Sequence, residues 1–448
     1  KTHISMQVKT GKGTISLWVV MAIWSLSLAV DLPGLAVTPI EGSLRSIFPD
    51  VTDFKIQLLT VLPNVVIIPF VLLSGKLSET KHKIAVITAG TVLYIVAGAW
   101  SIFSNSLTSL IWLSCLLGAG CGLILPFSTG LIADVFTGKY RMKQMGIISA
   151  IGNIALVGAT FVVGFLAAKS WHLPFLVYLI PLISLILIPF LKKIPQSDYN
   201  TAAADSDSSA STAAPAAGTT AANAAKTAAP AATAVPAVDE DGFSTKGQKV
   251  SGGFYVGRTI WLLLAYFFFV FATSIPAYYL PNLMPEYHMS TEEVSTVTSL
   301  FYLAMFAIGL ILNPTLKAFK KFSFILAGGL VLGGLVMFVV TKSMGLFVVA
   351  SLLVGLGNGL AQPIFYDKAT ELVVNKSKAT LSLAYLQVAN YVAISLVPVI
   401  TNLFMSIFNN HSNIFPFVMI TVMTAIVMIF IIIRLNHFTF GIKPAYYE

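Results

Sequence analysis

Apolar residues arrive in long runs along this chain, separated by short polar stretches, and those runs set the architecture. Twelve are long enough for the roughly 20 helical residues that cross a bilayer. They are 16–40, 54–75, 84–104, 107–131, 144–167, 172–191, 257–281, 294–316, 322–341, 345–366, 380–407 and 413–434. The pattern predicts an all-α membrane protein of twelve transmembrane helices. Gly and Pro recur inside the runs, which lipid-embedded helices tolerate better than soluble ones.

The runs fall into two similar sets. Gly118-Ala119-Gly120-Cys121-Gly122 with Pro126 reappears as Gly355-Leu356-Gly357-Asn358-Gly359 with Pro363, 237 positions later. The correspondence continues into the polar loops, where Asp134 aligns with Glu371, Lys139 with Lys376 and Arg141 with Lys378. Thr52-Asp53 before the second run aligns with Ser290-Thr291 before the eighth as helix N-cap signals, and Gly90 aligns with Gly328. A membrane chain built from two like halves in one orientation is the plan of a secondary transporter, with its substrate path where the halves meet. The expected division is a six-helix bundle at 1–194, a disordered cytoplasmic linker at 195–256 and a second six-helix bundle at 257–448. The middle of the linker is Ala, Thr, Ser and Pro with no apolar stripe to dock it.

Composition agrees with that class. The chain is 56% hydrophobic and 10% charged, where a soluble protein carries roughly a quarter charged residues. With both termini in the cytoplasm, cytoplasmic segments hold 23 of the 27 Lys and Arg, leaving only Arg45, Lys55, Lys169 and Lys342 outside. This is the positive-inside asymmetry, and it accounts for the net charge of +9 without nucleic acid. The first run is too long for the apolar core of a cleaved signal peptide. Cys115 and Cys121 share one run and are expected as free buried thiols.

Between the second and third runs stands Gly75-Lys76-Leu77-Ser78-Glu79-Thr80-Lys81-His82-Lys83. With the 6+6 repeat and the long middle loop, this resembles the major facilitator superfamily, whose signature reads approximately G-x-L-a-D-r-x-G-R. Gly75 and Leu77 fit, Glu79 stands for the Asp, Lys83 for the Arg, and His82 replaces the second Gly. The resemblance implies a charged latch near the cytoplasmic helix ends, made in one conformation and released in another. Glu79 with Lys139 or Arg141, and Asp134 with nearby basic residues, are the candidates. Glu371 and Lys378 are their repeat-related counterparts. Proton-coupled drug antiporters of this family carry an Arg four residues before the first Gly of the G-x-G run and a Gly-Pro pair in helix 5. Here Ser114 and Ser351 stand at the first place. Helix 5 has Gly146, Gly152, Gly158 and Gly164 instead, read as close helix packing. The opening residues and Asp31-Leu32-Pro33-Gly34 are similar to the conjugated bile-salt transporters of lactobacilli within the superfamily. That implies uptake of a conjugated bile acid or its exchange for the deconjugated product.

Asp31 is the only ionisable residue deep inside a predicted run, and a charge there costs roughly 2.5–3.5 kcal/mol on insertion scales. It is therefore expected to face the cavity as a binding, proton-coupling or gating group. Polar residues recur every four positions as Asn358, Gln362 and Tyr366, and cluster again as Gln387, Asn390 and Tyr391. Tyr278, Tyr279 and Tyr302 join them in the second half; Trp24, Ser27, Asn64 and Asn153 do so in the first. Any one of these serves equally as glue between helices; together they predict a cavity lining. The absence of Lys or Arg at mid-membrane argues against small, multiply charged anions.

The expected activity is alternating-access transport of a bulky amphipathic solute. Proton-driven multidrug efflux through Asp31 is the alternative, and a non-transporting membrane receptor is the alternative of another class. The expected partners are that solute and the lipid bilayer, with one copy sufficient to form a path. No P-loop, H-E-x-x-H or nucleophile elbow is present, and the histidines show no metal-ligand spacing, so neither enzyme chemistry, a cofactor nor a metal is expected.

Overall fold

The computed structural model describes residues 7–11, 13–29, 32–33, 36–37, 44, 47–48, 53–78, 82–167, 169–192, 194, 248–375 and 378–442. Asp31, Glu79, Lys376 and linker residues 195–247 lie outside this set.

Each half opens on a short β-hairpin that runs directly into its first helix. In the first half β1 (Gln7–Lys9) and β2 (Thr14–Ser16) lead into α1 (Leu17–Ser25), which tightens to a 3₁₀ turn over Leu26–Ala29. Next come α2 (Asp53–Leu77), α3 (Lys83–Phe103), α4 (Leu107–Val135) and α5 (Gly138–Ala167). The half ends on a 3₁₀ segment (Leu173–Leu179) and α6 (Leu182–Leu191). In the second half β3 (Val250–Ser251) and β4 (Phe254–Tyr255) lead into α7 (Val256–Leu283). The last nine residues of the expected linker therefore contain an ordered hairpin and the start of a helix. Then follow α8 (Thr291–Leu310), α9 (Leu312–Phe319), α10 (Ser323–Val340), α11 (Met344–Thr370), α12 (Ala379–Ile407) and α13 (Phe415–Ile433).

Among the described residues, nine helical stretches are long and apolar enough to cross a bilayer. Shorter apolar helices at Leu17–Ala29, Leu62–Leu77 and Thr296–Leu310 occupy the first, second and eighth expected runs. The eighth run was expected as one helix but breaks at Ile311, whose φ of −102° and ψ of 21° leave the helical range. Pro314 explains the break, since a proline clashes with the carbonyl four residues earlier, here Leu310. Pro181 likewise parts the 3₁₀ segment from α6. At the start of α8 the Ser290 hydroxyl accepts from the Glu293 amide (3.3 Å), and the Glu293 carboxylate accepts from the Ser290 amide (2.7 Å). This reciprocal cap fulfils the N-cap expected at Ser290.

The glycine repeat is a repeat of contacts. A Cβ on Gly118 would lie 2.5 Å from the Pro63 carbonyl, and one on Gly122 2.7 Å from that of Ile67, both on α2. Gly120 faces the other way, 2.8 Å from the Gly90 carbonyl on α3. In the second half Gly355 meets the Phe301 carbonyl and Gly359 that of Met305 (2.8 Å), both on α8, while Gly357 meets that of Ala327 (2.5 Å) on α10. Two helices thus touch the backbone of one central helix on opposite sides, which any side chain would prevent. Gly328 is not the structural counterpart of Gly90: it faces Met428 on α13, and Ala327 takes the equivalent place.

The halves meet along α2 against α12 and α5 against α8. Gly75 of the signature stretch is one such contact, where an added Cβ would lie 2.5 Å from Cβ of Ala384. Gly130 faces Thr380 in the same way. Gly146 and Gly309 face each other's carbonyls, which an added Cβ on either would meet at 2.9 and 3.0 Å. A Cβ on Gly152 would meet only the Ser27 carbonyl at 3.9 Å and one on Gly158 nothing within 4 Å, so of these three Gly146 carries the close packing; the surroundings of Gly164 lie outside the described set. The outer surface is apolar, with Trp100, Trp112, Phe165, Ile186 and Val340 among the most exposed side chains, as lipid contact requires.

Candidate functional site

The polar residues of the two halves converge where α5 faces α11. On α1, Trp24 donates its indole N–H to the Gln144 amide oxygen of α5 (2.8 Å). One turn further along α5, the Ser149 hydroxyl donates to the Gln362 amide oxygen (3.0 Å), crossing from one half to the other. The Gln362 amide nitrogen then donates to the Tyr366 hydroxyl (3.0 Å). The Tyr366 ring meets Tyr266 edge-on at 6.2 Å, and the Tyr266 hydroxyl donates to the Asn390 amide oxygen on α12 (3.4 Å). The four-residue spacing of Gln362 and Tyr366 places both on one face of α11. Asn153 lies beneath, its amide donating to the Ser149 carbonyl (2.8 Å).

Other predicted residues sit apart from this chain of bonds. Ser27 is buried and donates to the Trp24 carbonyl of its own helix (2.7 Å). Asn358 turns to Met305 of its own half, with its amide 3.6 Å from the sulfur. Gln387 and Tyr391 are buried on α12, Tyr391 among first-half residues such as Ile67 and Val71. Asn64 is half-buried on α2. Tyr278 and Tyr279 lie near the end of α7, and Tyr302 lines a cavity of about 20 Å³ with Thr273, Pro276 and Ser351, inside the second half. Sequence reasoning missed Gln144, Ser149 and Tyr266. Ser149 carries a legible signal, since it stands one helical turn before Asn153.

At the end of the bundle rich in basic residues, Arg141 joins the halves. Its Nε donates to Asp367 Oδ1 (2.6 Å) and its Nη2 to Glu371 Oε1. Asp367 and Glu371 stand one turn apart at the end of α11, so both carboxylates reach one guanidinium. Asp367 is fully buried, and Arg141 and Glu371 are nearly so. Asp367 was missed because its apolar run stops at 366, whereas the helix continues to Thr370. Arg258 and Lys368 are also buried near this end. The other latch candidates among the described residues have local contacts. Asp134 pairs with Lys83 of the same half at 3.0 Å. Lys139 is exposed and lies 6.0 Å from the Tyr140 ring centre. Lys378 donates to the Gly252 carbonyl (2.9 Å), which makes it an anchor of the β3–β4 hairpin. Neither Cys115 nor Cys121 is in a disulfide; Cys121 is buried, with its thiol 3.6 Å from the Ala29 carbonyl, whereas Cys115, expected buried, is half-buried. Among the described residues no group of His, Cys, Asp and Glu could hold a metal.

The model of the Major Facilitator Superfamily matches residues 14–398 and 262–439. The multidrug transporter protein MdtP of Bacillus subtilis (strain 168) is 29% identical over 155 residues, covering 34% of this chain and 28% of that protein. The quinolone resistance protein NorA of Staphylococcus aureus (strain MRSA252) is 30% identical over 114 residues, 25% of this chain and 29% of that protein. The chain thus spans less than a third of the length of these relatives. A double Trp mutant of XylE superposes with a TM-score of 0.70 at 16% identity, covering 96% of each chain. The human organic anion transporter MFSD10 (TETRAN) superposes with a TM-score of 0.62 at 15% identity, covering 92% of this chain and 99% of its own. Both likenesses concern the fold. The apolar helices, the glycine contacts repeated in the two halves and the family match together establish that this chain is a multi-pass membrane transporter belonging to the major facilitator superfamily.

Proposed function

We propose that this transporter moves bulky, largely apolar organic compounds by alternating access. The observation that carries this reading is the cross-half chain Ser149–Gln362–Tyr366, flanked by Trp24–Gln144 and Tyr266–Asn390. It offers amides, hydroxyls and aromatic faces, which orient an apolar body through a few polar points. The buried basic residues Arg141, Arg258 and Lys368 lie at the helix ends instead. The bond between Ser149 and Gln362 joins groups that separate when the halves part, so substrate can take its place.

The relatives named as a multidrug transporter and a quinolone resistance protein support efflux of such compounds as the first cargo class to test. The basic end is the cytoplasmic one in this reading, set by the distribution of Lys and Arg in the cell membrane. Arg141 with Asp367 and Glu371 is the latch that closes it. Asp31 is the proposed proton carrier, and one copy of the chain suffices for the path.

Proteoliposomes test the proposal directly. A quinolone and a cationic dye are followed under an imposed pH gradient, and taurocholate uptake is followed with and without cholate inside. Gradient-driven movement of the quinolone or dye, lost in Asp31→Asn, supports efflux. Taurocholate uptake stimulated by internal cholate instead assigns bile-acid exchange. Binding of either class without flux refutes transport and favours a receptor.

A further inference from the structure

The two hairpins dock on the two sides of the latch. In the first half, β1 and β2 pair Gln7 with Ser16, Val8 with Ile15 and Lys9 with Thr14. Their turn carries Gly11 at φ +94°, pressed against Thr137 so closely that a Cβ would lie 2.5 Å from the Thr137 hydroxyl. The Thr137 amide donates to the Thr10 carbonyl (3.0 Å). Thr137 heads α5, and its own carbonyl accepts from the Arg141 amide (3.3 Å). The hairpin is therefore one helical turn from the guanidinium that holds the latch.

In the second half, β3 and β4 pair Val250 with Tyr255 and Ser251 with Phe254. The turn between them is Gly252 at φ +60° and Gly253 at φ +87°, the two left-handed residues of a type I′ hairpin. The Tyr255 amide donates to the Leu372 carbonyl, and the Val374 amide to the Gly253 carbonyl, both at 2.9 Å. Phe254 and Val373 form a bridge between these bonds. Lys378 closes the far side on Gly252, and the Phe254 ring packs on Tyr385 of α12 at 5.4 Å. The strand so pinned begins at the residue after Glu371.

Each hairpin is also continuous with the first helix of its half. Ser16 and Tyr255 are at once strand ends and the N-caps of α1 and α7. Those helices carry Trp24 and Tyr266 of the proposed cargo chain.

We propose that the hairpins are paired braces, which position Arg141 and Glu371 for each other and tie the latch to α1 and α7. Release of the latch then moves the first helix of each half, and displacement of either hairpin weakens the latch. This inference rests on the latch reading given above.

The test uses the full chain in lipid nanodiscs, with Cys115→Ala and Cys121→Ala. Spin labels are placed at exposed Lys76→Cys on α2 and Lys317→Cys on α9, in opposite halves at the basic end. Their distance distribution reports closure. Gly252→Val with Gly253→Val opposes the left-handed turn and is expected to move a large part of the population to longer distances. Gly252→Asn, which suits a type I′ turn, is expected to restore the parent distribution. Arg141→Gln is measured alongside. If Arg141→Gln opens the basic end and the valine pair does not, the braces are refuted while the latch stands. If Arg141→Gln itself changes nothing, the latch reading fails. Should the valine pair not fold, Val374→Pro removes the N–H donated to Gly253 and fixes the backbone there, leaving the hairpin's own turn untouched. A longer distance in that variant supports the brace and an unchanged one overturns it.

Discussion

Replacing Arg141 by Gln removes the cation that Asp367 and Glu371 share across the halves. In the closed arrangement Asp367 is fully buried and Glu371 is 9% exposed. Removing one partner of a buried ion pair costs about 3–5 kcal/mol, most of it from the charge left behind. Opening the basic end lets water reach both carboxylates, so the penalty falls on the closed state alone. Glu371 keeps some contact with solvent, which argues for the low end, about 3 kcal/mol. At about 1.4 kcal/mol per decade, the ratio of closed to open molecules falls roughly a hundredfold. Thr380→Cys in a chain without Cys115 and Cys121 reads this out. Thr380 is buried against Gly130 between the halves and becomes reachable by a maleimide only when they part. The alkylation rate of Arg141→Gln is expected to rise toward a hundredfold. In Arg141→Gln with Asp367→Asn and Glu371→Gln, no charge is stranded and most of the protection returns. Equal alkylation rates for parent and Arg141→Gln would refute the reasoning.

Three further outcomes follow from the same geometry. Gly120→Ala forces a Cβ to 2.8 Å from both the Gly90 carbonyl and the Tyr94 amide, a backbone clash worth about 1–3 kcal/mol, so thermal unfolding in detergent should begin several degrees lower; Gly158→Ala, which meets nothing within 4 Å, should leave it unchanged or higher. Tyr366→Phe removes the acceptor of the Gln362 amide, and one such bond is worth about 0.5–1.5 kcal/mol; the KM for a transported quinolone or bile acid should change severalfold, with spin-label closure at the basic end unaltered. His437, beyond the last helix, has its pKa lowered by burial first and then by Arg434, Arg258 and Lys368. The unfolded chain binds this proton near pH 6.5 and the folded chain only lower. Stability is therefore lost as pH falls below about 6.5, and unfolding curves at stepped pH should lose part of that slope in His437→Gln.

The parts of this fold that were legible in the sequence are those that rest on strong local chemistry. Long apolar runs located the helices because a bilayer leaves backbone groups no other partner. The G-x-G-x-G repeat announced two like halves because each glycine is held to that identity by a neighbouring carbonyl. What the sequence concealed depends on reach. Asp367 stood one residue beyond an apolar run and looked like a loop charge, yet the helix extends past it into the interface. Lys378 and Arg141 align in the repeat, but one anchors a hairpin and the other spans the halves. The β3–β4 hairpin was taken into the linker because its six residues are too few for a periodic signal, and its order comes from the loop after α11. In the candidate site, the stripe on α11 was visible from its four-residue spacing. Gln144 and Tyr266 were not, since their roles depend on which helices face each other.

Asp134 and Glu371 occupy one position in duplicate, at the ends of the two central helices. One pairs with Lys83 of its own half, the other with Arg141 of the opposite half. Near-identical architecture thus supports a division of labour: one copy of the acid consolidates its own bundle while the other takes part in the transaction between bundles. Neutralising each in turn gives the molecule two separate dials. Glu371→Gln is expected to change how often the basic end opens, and Asp134→Asn how firmly α3 and α4 travel together when it does. A transporter whose two halves fold alike is, in this respect, an asymmetric machine.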